Sequence, residues 1–324
     1  MQLILKKRTT PRKIFFNNAV LGRIRTDHPK ISLIEEDNRR IEAGYYGEQR
    51  LDFFLDYLPD KNYHIINDLR LSNGKSHYQI DSLIITPTYI LDADSKNMNG
   101  ELEVDDDSEQ LIQTYENKQK SYDNPLLQGQ FHLRQLKEFL AQHKIPEIPL
   151  ENLIMMSNQN CMIKTKPGSN ARYRICRGRR LIFRIEEFSK KYQKVIFSPE
   201  MIRKLCKLLL KNHIEPIFDI EKIYKIPKSE LLPGVRCPDC LFLGMTYHHG
   251  SWCCPKCNCK SRDAHLKALQ DYYLLYGPEI TNQQLREFLR LDSIYIASKM
   301  LNKLNLPHTS ANKNRVYLLS YTLD

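Results

Sequence analysis

The stretch Gln79–Gly100, QIDSLIITPTYILDADSKNMNG, limits the fold more than any other part of the chain. Ser82–Thr86 and Tyr89–Asp92 are short apolar runs rich in β-branched and aromatic residues, broken by Pro87-Thr88. The pattern predicts two strands joined by a tight turn. If the turn is Pro87-Thr88, Thr86 pairs with Tyr89, and counting outward sets Asp81 opposite Asp94. Opposed residues in an antiparallel pair have Cβ atoms roughly 4.5–5.5 Å apart. Side chains alternate along a strand, so Asp92, Asp94 and Lys96 project to the same side as Asp81. Opposed carboxylates repel, and a fold tolerates them best with a cation between them. Carboxylates around a hard divalent ion, beside a lysine, suit phosphodiester hydrolysis. Two alternatives stay open. Pro-Thr is not the Asn-Gly type of turn that fixes a two-residue hairpin, so a longer loop would shift the pairing. An Asp and a Lys near a strand end are also commonly plain solvated surface.

A chain of 324 residues has room for two or three domains and at least one sizeable core. Its 41% hydrophobic content and mean hydropathy of -0.52 describe a globular protein and exclude a disordered one. Net charge of +11 favours a polyanionic partner such as nucleic acid. No run approaches the ~20 apolar residues of a membrane span. The N-terminus MQLILKKRTTPRK contains no signal-peptide core, and the expected location is the cytosol.

Around the hairpin the chain alternates helical and strand patterns. Residues 1–37 read as a basic arm with a helix near Phe15–Ile24. In AGYYGEQRLDFFLDYLP, Leu51, Phe54, Leu55 and Leu58 repeat at helical spacing, and Glu48 lies on their inward face. A lone acid there is unexpected for packing alone, because burying it is costly. Tyr63–Leu69 reads as a strand, and the acidic run Glu101–Glu109 as a solvated loop. Asn124-Pro125 opens a second helix with Gln128 on its first turn. Leu153–Ser157 and Arg180–Ile185 read as strands flanking a loop that holds Arg172, Arg174, Arg177 and Arg179. Such a run is either a solvated face or, beside a phosphodiesterase site, a set of phosphate contacts.

The succession AGYYGE, QIDSLIITPTYILDADSKNMNG and NPLLQGQ resembles the NERD (nuclease-related) domain of the PD-(D/E)XK nuclease superfamily, over roughly residues 38–145. The resemblance implies an α/β, restriction-endonuclease-like core, a mixed sheet flanked by helices, using Mg²⁺ or Mn²⁺. It places the helix acid at Glu48, the first strand acid at Asp81, the ends of the E-x-K triplet at Asp94 and Lys96, and the following glutamine at Gln128. Two positions depart from the pattern: the triplet begins with Asp94 in place of Glu, and Ser95 stands where an apolar residue is usual. Other branches of the superfamily use Asp there.

Six of the nine cysteines fall between Cys237 and Cys259. Cys237-Pro-Asp-Cys240 and Cys254-Pro-Lys-Cys257 form two CxxC knuckles, the spacing of a structural Cys₄ zinc ribbon. A redox dithiol is the rival reading, and Cys253, Cys259, His248 and His249 are alternative ligands. Beyond it, Ala264–Tyr273, a capping box at Thr281–Gln284 and a cap at Ser293 predict three helices, closed by a strand at Val316–Leu319. This resembles a winged helix-turn-helix, with Lys299 and Lys303 on the third helix and Lys313 and Arg315 on the wing as nucleic-acid contacts; many such units bind protein instead. The order of parts resembles a set of bacillus-type NERD proteins.

The expected domains are thus 1–37, 38–190 (nuclease-like), 191–232 (helical connector), 233–260 (zinc ribbon) and 261–324 (winged helix). The expected activity is metal-dependent DNA cleavage, with Glu48, Asp81 and Asp94 holding the ion, Lys96 orienting water or stabilising charge on phosphate, and Gln128 positioning the nucleophile or metal. The alternatives are a catalytically decayed DNA-binding or regulatory protein and a protein scaffold. Oligomeric state is left open, a dimer included.

Overall fold

The computed structural model describes residues 3–59, 62–105, 107–309 and 315–320. The chain begins with β1 (Leu3–Lys6), α1 (Arg12–Leu21) and α2 (Ile31–Leu55). The hairpin region supplies β2 (His64–Ser72), β3 (His77–Ile85) and β4 (Ile90–Lys96), followed by β5 (Gly100–Asp105), β6 (Gln110–Tyr115) and β7 (Lys118–Asp123). Then come α3 (Pro125–Gln142), β8 (Leu150–Met156), β9 (Cys161–Thr165), α4 (Ala171–Arg174), β10 (Ile175–Arg177), α5 (Arg180–Lys191) and α6 (Pro199–Lys211). The chain divides into two compact units, residues 1–10 with 42–215 and residues 11–41 with 216–324. The residues of α2 are shared between them.

In the first unit a six-stranded mixed sheet runs β1-β2-β3-β4-β8-β10, and a smaller sheet runs β7-β6-β5-β9. Strands buried on both faces carry consecutive apolar residues, as Ile65-Ile66 of β2, Leu83–Ile85 of β3 and Ile90-Leu91 of β4 do. Ile66, Leu83 and Ile85 pack under Leu136 and Leu140 of α3 and Leu205 and Leu209 of α6. Their neighbours Ile65, Ile84 and Leu91 face the other way, against Leu51 and Leu55 of α2 and Leu181 and Ile185 of α5. One side chain in two serves each face, giving a helix–sheet–helix sandwich.

The hairpin has the predicted register: Ile85 pairs with Ile90 and Ser82 with Ala93. Its turn needs no Asn-Gly because the Thr86 hydroxyl organises it, accepting from the backbone N–H of Thr88 (3.2 Å) and Tyr89 (2.9 Å). Thr86 Oγ1 also donates to the Tyr89 carbonyl at 2.7 Å. Such side-chain mimicry of a turn is a property of Ser and Thr.

Several expectations are corrected. Arg180–Ile185 is not a strand but the first half of α5; Leu181, Ile185 and Phe188 are its buried stripe, at helical spacing. The acidic run is not a loop but β5 and the turn after it, with Leu102 and Val104 alternately buried. The N-terminal segment is not an appended arm, since β1 pairs in parallel with β2. The connector is divided: α6 packs in the first unit, whereas Ile220, Tyr224 and Ile226 join the core of the second.

The second unit contains α7 (Ile220–Tyr224), β11 (Val235–Arg236), β12 (Leu243–His248), β13 (Ser251–Cys253), β14 (Lys260–Ser261), α8 (Ala264–Tyr276), β15 (Glu279–Thr281), α9 (Asn282–Leu289), α10 (Ile294–Lys303) and β16 (Val316–Leu318). Strands β11–β14 form one sheet, and β15 pairs with β16 in another. Val235, Met245 and Trp252 share one core with Ala268, Leu285 and Leu301. The cysteine-bearing segment and the helical tail are therefore one packed body. Both expected caps are present, with Thr281 and Gln284 forming the capping box and Ser293 capping α10.

Helix α2 lies close against the strand ends through Gly47. A Cβ there would come within 2.7 Å of Ser157 Oγ and 3.1 Å of Ser95 Oγ, whereas one at Gly44 would meet nothing within 4 Å. Gly44→Ala should therefore stabilise the first unit by up to about 1 kcal/mol through helix propensity. Gly47→Ala, one turn on, should lose about 1–3 kcal/mol to crowding, less that same gain. Urea unfolding of the two variants measures the difference.

Candidate active site

The hairpin register, continued one pair outward from Ser82 and Ala93, brings Asp81 to Asp94. Asp81 Oδ2 accepts from the Ser95 backbone N–H at 3.2 Å. Burial pushes the Asp81 carboxyl well above the ordinary range, and the charge of Asp94 and a hydrogen bond to it add to this. Asp94 is also buried, but the hydrogen bond from Asp81 and the charge of Lys96 outweigh burial and hold it below that range. Two carboxyls facing each other this closely resist ionising together, which is why one is held up and the other down. Lys96 Nζ lies 2.7 Å from Asp94 Oδ2 and donates to Gln128 Oε1 at 3.0 Å. The Asp94 charge outweighs desolvation and raises the Lys96 pKa, so the ammonium stays charged.

Arg8, which the sequence reading leaves out, organises the other side of the site. Its guanidinium is 3% exposed. Nε and Nη2 take the two oxygens of Asp52 at 2.8 and 3.0 Å, and Nη1 takes Glu48 Oε2 at 3.0 Å and Asp68 Oδ1 at 2.5 Å. Nη2 also donates to the Asp81 carbonyl and to Ser82 Oγ, both at 2.9 Å. These contacts fill a gap in the sheet. The β2–β3 ladder runs through Asn67↔Ser82 and resumes at Leu69↔Ile80, and between them Asp68 takes a left-handed backbone, φ 51. A non-glycine residue in that region stores strain and persists only where its surroundings hold it. Here Lys6 Nζ donates to the carbonyls of Asn67 and Asp68 at 3.1 and 3.3 Å, and Arg8 holds the Asp68 carboxylate. One helical turn separates Glu48 from Asp52, the only trace of this arrangement in the sequence.

The structure thus brings Asp81, Asp94, Lys96 and Gln128 together and turns Glu48 toward Arg8. Burial raises the Glu48 carboxyl against the opposing charge of Arg8, with Asp68 and Asp94 adding to the rise. Glu48, Asp81 and Asp94 do not close to within 4.8 Å of one another; among the described residues only four cysteines form such a set. Two further groups stand on the Lys96 side. Asp92 is 1% exposed, and neither carboxylate oxygen has a hydrogen-bond partner. Its nearest charge partner is His132, on α3 one turn beyond Gln128, with Nδ1 at 3.4 Å. Burial raises the Asp92 pKa.

The model of the nuclease-related domain family matches residues 43–157. This part of the chain is a NERD, or nuclease-related, domain. No curated protein and no solved structure matches the chain. The match includes Glu48, Asp81, Asp94, Lys96 and Gln128, with Asp92 and His132 between and beside them. Arg8 lies outside it, as do the cysteines.

In the second unit the thiols of Cys237, Cys240, Cys254 and Cys257 lie within 4.8 Å of one another, a cluster that could hold a metal ion. The Sγ separations are 3.5 Å for Cys237–Cys257 and 3.6 Å for Cys240–Cys254. Tetrahedral zinc with Zn–S near 2.3 Å asks for sulfurs about that far apart. Desolvation opposes ionisation of Cys237, but backbone N–H groups of Cys240 and Asp239 overcome it and draw the thiol down to about 6. A thiolate is the form that binds metal. Cys253, Cys259, His248 and His249 are not part of the cluster.

Of the arginines expected to meet phosphate, Arg174 is committed elsewhere: it ion-pairs with buried Glu151 and donates to the Asn152 carbonyl at 3.2 Å. Arg172, Arg177 and Arg179 have no carboxylate partner among the described residues. Lys299 and Lys303 are exposed on α10, Arg315 lies 5.9 Å from the Tyr317 ring, and Lys313 lies outside the described residues.

Replacing Arg8 with Met leaves the partly buried Glu48, Asp52 and Asp68 without their cation, and should destabilise the domain by up to about 3 kcal/mol at neutral pH. The acids then ionise less readily in the folded state than in the unfolded one, so the loss grows as pH rises and shrinks toward about pH 5. Unfolding curves at several pH values check both the size and the direction. For the cysteine cluster, elemental analysis of protein purified without added metal should find about one zinc per chain, lost on Cys237→Ser with Cys254→Ser.

Proposed function

We propose that the NERD domain hydrolyses phosphodiester bonds in nucleic acid, with DNA as the substrate, using Mg²⁺ or Mn²⁺. The observation that carries this reading is the facing of Asp81 and Asp94 across the hairpin with Lys96 Nζ 2.7 Å from Asp94, within the family-matched segment. The donor set suits a hard divalent ion: two facing buried carboxylates, all-oxygen ligands, and a proton that a cation can replace. Asp81 and Asp94 would hold it, with Glu48 as a third ligand through Oε1, since Arg8 bonds only Oε2. A divalent ion bound there would supply positive charge for activating water and neutralising the phosphoryl oxygens.

The side chains supply the rest. Lys96, kept charged by Asp94 and oriented by Gln128, can donate a hydrogen bond to a phosphate oxygen as its charge grows. Gln128 holds that ammonium by accepting from it. In the second unit, the cysteine cluster would be a closed structural zinc site, because protein fills all four positions. The unit of α8–α10 with β15 and β16 would act as a winged helix, meeting DNA phosphates through exposed Lys299 and Lys303.

Two observations favour a second reading, a decayed nuclease that only binds nucleic acid: Glu48 is tied to Arg8, and the shorter Asp94 stands in the usual Glu position. Cleavage assays on linear, circular, double- and single-stranded DNA, with and without Mn²⁺, separate the two. In an active enzyme Asp81→Ala should abolish cleavage and weaken Mn²⁺ binding. Lys96→Ala should stop cleavage with the ion largely retained, because an ammonium cannot ligate a cation. Mn²⁺ affinity should rise with pH, since the ion displaces a proton whose pKa is raised on Asp81, and should fall as pH drops through that value. A parent that is inactive but gains cleavage on Asp94→Glu would establish the decayed reading. Equal cleavage by parent, Asp81→Ala and Lys96→Ala would place the chemistry elsewhere.

A further inference from the structure

A groove of about 1260 Å³ opens on the first unit between α2, the segment after β8 and the start of α5. Its aromatic lining is turned to solvent: Tyr46 and Phe53 are 55% exposed, Tyr57 65% and Phe183 54%. Phe53 meets Tyr57 edge-on at 5.4 Å, so these two rings form one exposed surface. Interleaved with them are Arg50, Arg177 and Arg179, none with a carboxylate partner among the described residues. Arg180 and Arg184, just beyond the rim, are instead paired to Glu187. Uncompensated positive charge is thus concentrated inside an apolar, aromatic groove.

The groove adjoins the candidate active site through Ser157. This residue lines the groove, and both its N–H and its hydroxyl bond the carbonyl of Lys96, at 3.0 and 3.3 Å. On α2, Glu48 and Asp52 face Arg8 while Tyr46, Arg50 and Phe53 line the groove, joined by Tyr57 just past the end of the helix.

We propose that this groove binds single-stranded nucleic acid, with unpaired bases stacking on Tyr46, Phe53, Tyr57 and Phe183 and phosphates held by Arg50, Arg177 and Arg179. This rests on the nuclease reading for its partner and deepens it by naming unpaired strands as the substrate class. A duplex presents phosphates and keeps its base faces stacked inside, so it would leave these rings in water. An unpaired strand offers π-faces and phosphates together, which this lining matches in both respects. The uncompensated arginines argue for a polyanion over an apolar protein segment.

The test uses fluorescence anisotropy on the full chain without added divalent ion, so that no cleavage is needed. The probes are a labelled oligothymidylate of about 15 nucleotides, an abasic strand of equal length, and a blunt duplex. The oligothymidylate should bind more tightly than the abasic strand. Phe53→Ala with Tyr57→Ala should weaken it by about tenfold or more and leave the abasic strand and duplex within about twofold. Arg179→Ala should weaken both single strands and flatten their salt dependence. All the substituted side chains are solvent-facing, and circular dichroism confirms that the variants fold. Oligothymidylate binding that ignores all of these substitutions overturns the proposal, whether or not the protein cleaves DNA. So does a parent dimer that becomes monomeric on Phe53→Ala with Tyr57→Ala with strand binding unchanged, because the groove is then an interface between copies. If cleavage is absent yet the stacking-dependent binding holds, the groove stands and only the hydrolytic reading falls.

Discussion

The buried guanidinium of Arg8 is the interaction on which the NERD unit depends most. A charge 3% exposed is costly unless it is fully paired, and this one meets three carboxylates, a carbonyl and a hydroxyl. Removing any one partner would leave the others poorly balanced, so helix α2, the Asp68 kink and the Asp81 backbone are fixed together. The Asp68 strain is understandable in the same terms. The left-handed residue interrupts the ladder, freeing the Asp81 carbonyl for Arg8 and the Asn67 and Asp68 carbonyls for Lys6. A regular β2–β3 ladder would have no place for a guanidinium at that point, and Glu48 would face Asp68 without a cation between them.

This explains how a segment outside the family-matched region belongs to the candidate site. β1 adds to the edge of the main sheet next to β2, and the chain leaving it carries Arg8 across the break in the ladder. The position of Asp81 is thereby set twice: from one side by the β3–β4 register, which faces it toward Asp94, and from the other by Arg8 on its carbonyl. On the proposed reading, a carboxyl held from both sides in this way would meet a divalent cation without rearranging.

What the sequence revealed follows from how local the determining interactions are. The hairpin register could be counted from Thr86 and Tyr89, because alternation and a two-residue turn fix it. The caps at Asn124, Thr281 and Ser293 were equally legible, each being a side chain within three residues of its partner. Arg180–Ile185 misled because Leu181–Phe183 is a short apolar run that fits a buried strand as well as a helix, and only Phe188 one turn further on reveals the helical stripe. The split of the connector and the shared core of the ribbon and tail depend on contacts far apart in the chain, which no local pattern encodes. Arg8 was hidden for the same reason: its partners begin 40 residues away, and KKRTTPRK reads as any basic arm. His132 is one turn from Gln128 and would have been found by following that helix face.

The charge balance of the site gives it a direction. Glu48, Asp52 and Asp68 meet Arg8, and Asp94, beside Asp81 and Asp92, meets Lys96; these two are the permanent cations that ion-pair with the six acids among the described residues. Desolvation raises Glu48, Asp68, Asp81 and Asp92 together, which is how a buried acidic cluster responds when positive charge is short. Arg8 satisfies the acids on its own side but stops at the Asp81 carbonyl, without reaching its carboxyl. Lys96 reaches Asp94 and is then engaged by Gln128. The deficit is therefore localised between Asp81, Asp92 and Asp94, in a buried place where both Asp92 oxygens lack a hydrogen-bond partner. Protons relieve it at the cost of ionisation, whereas a divalent cation would relieve it while leaving the carboxylates charged.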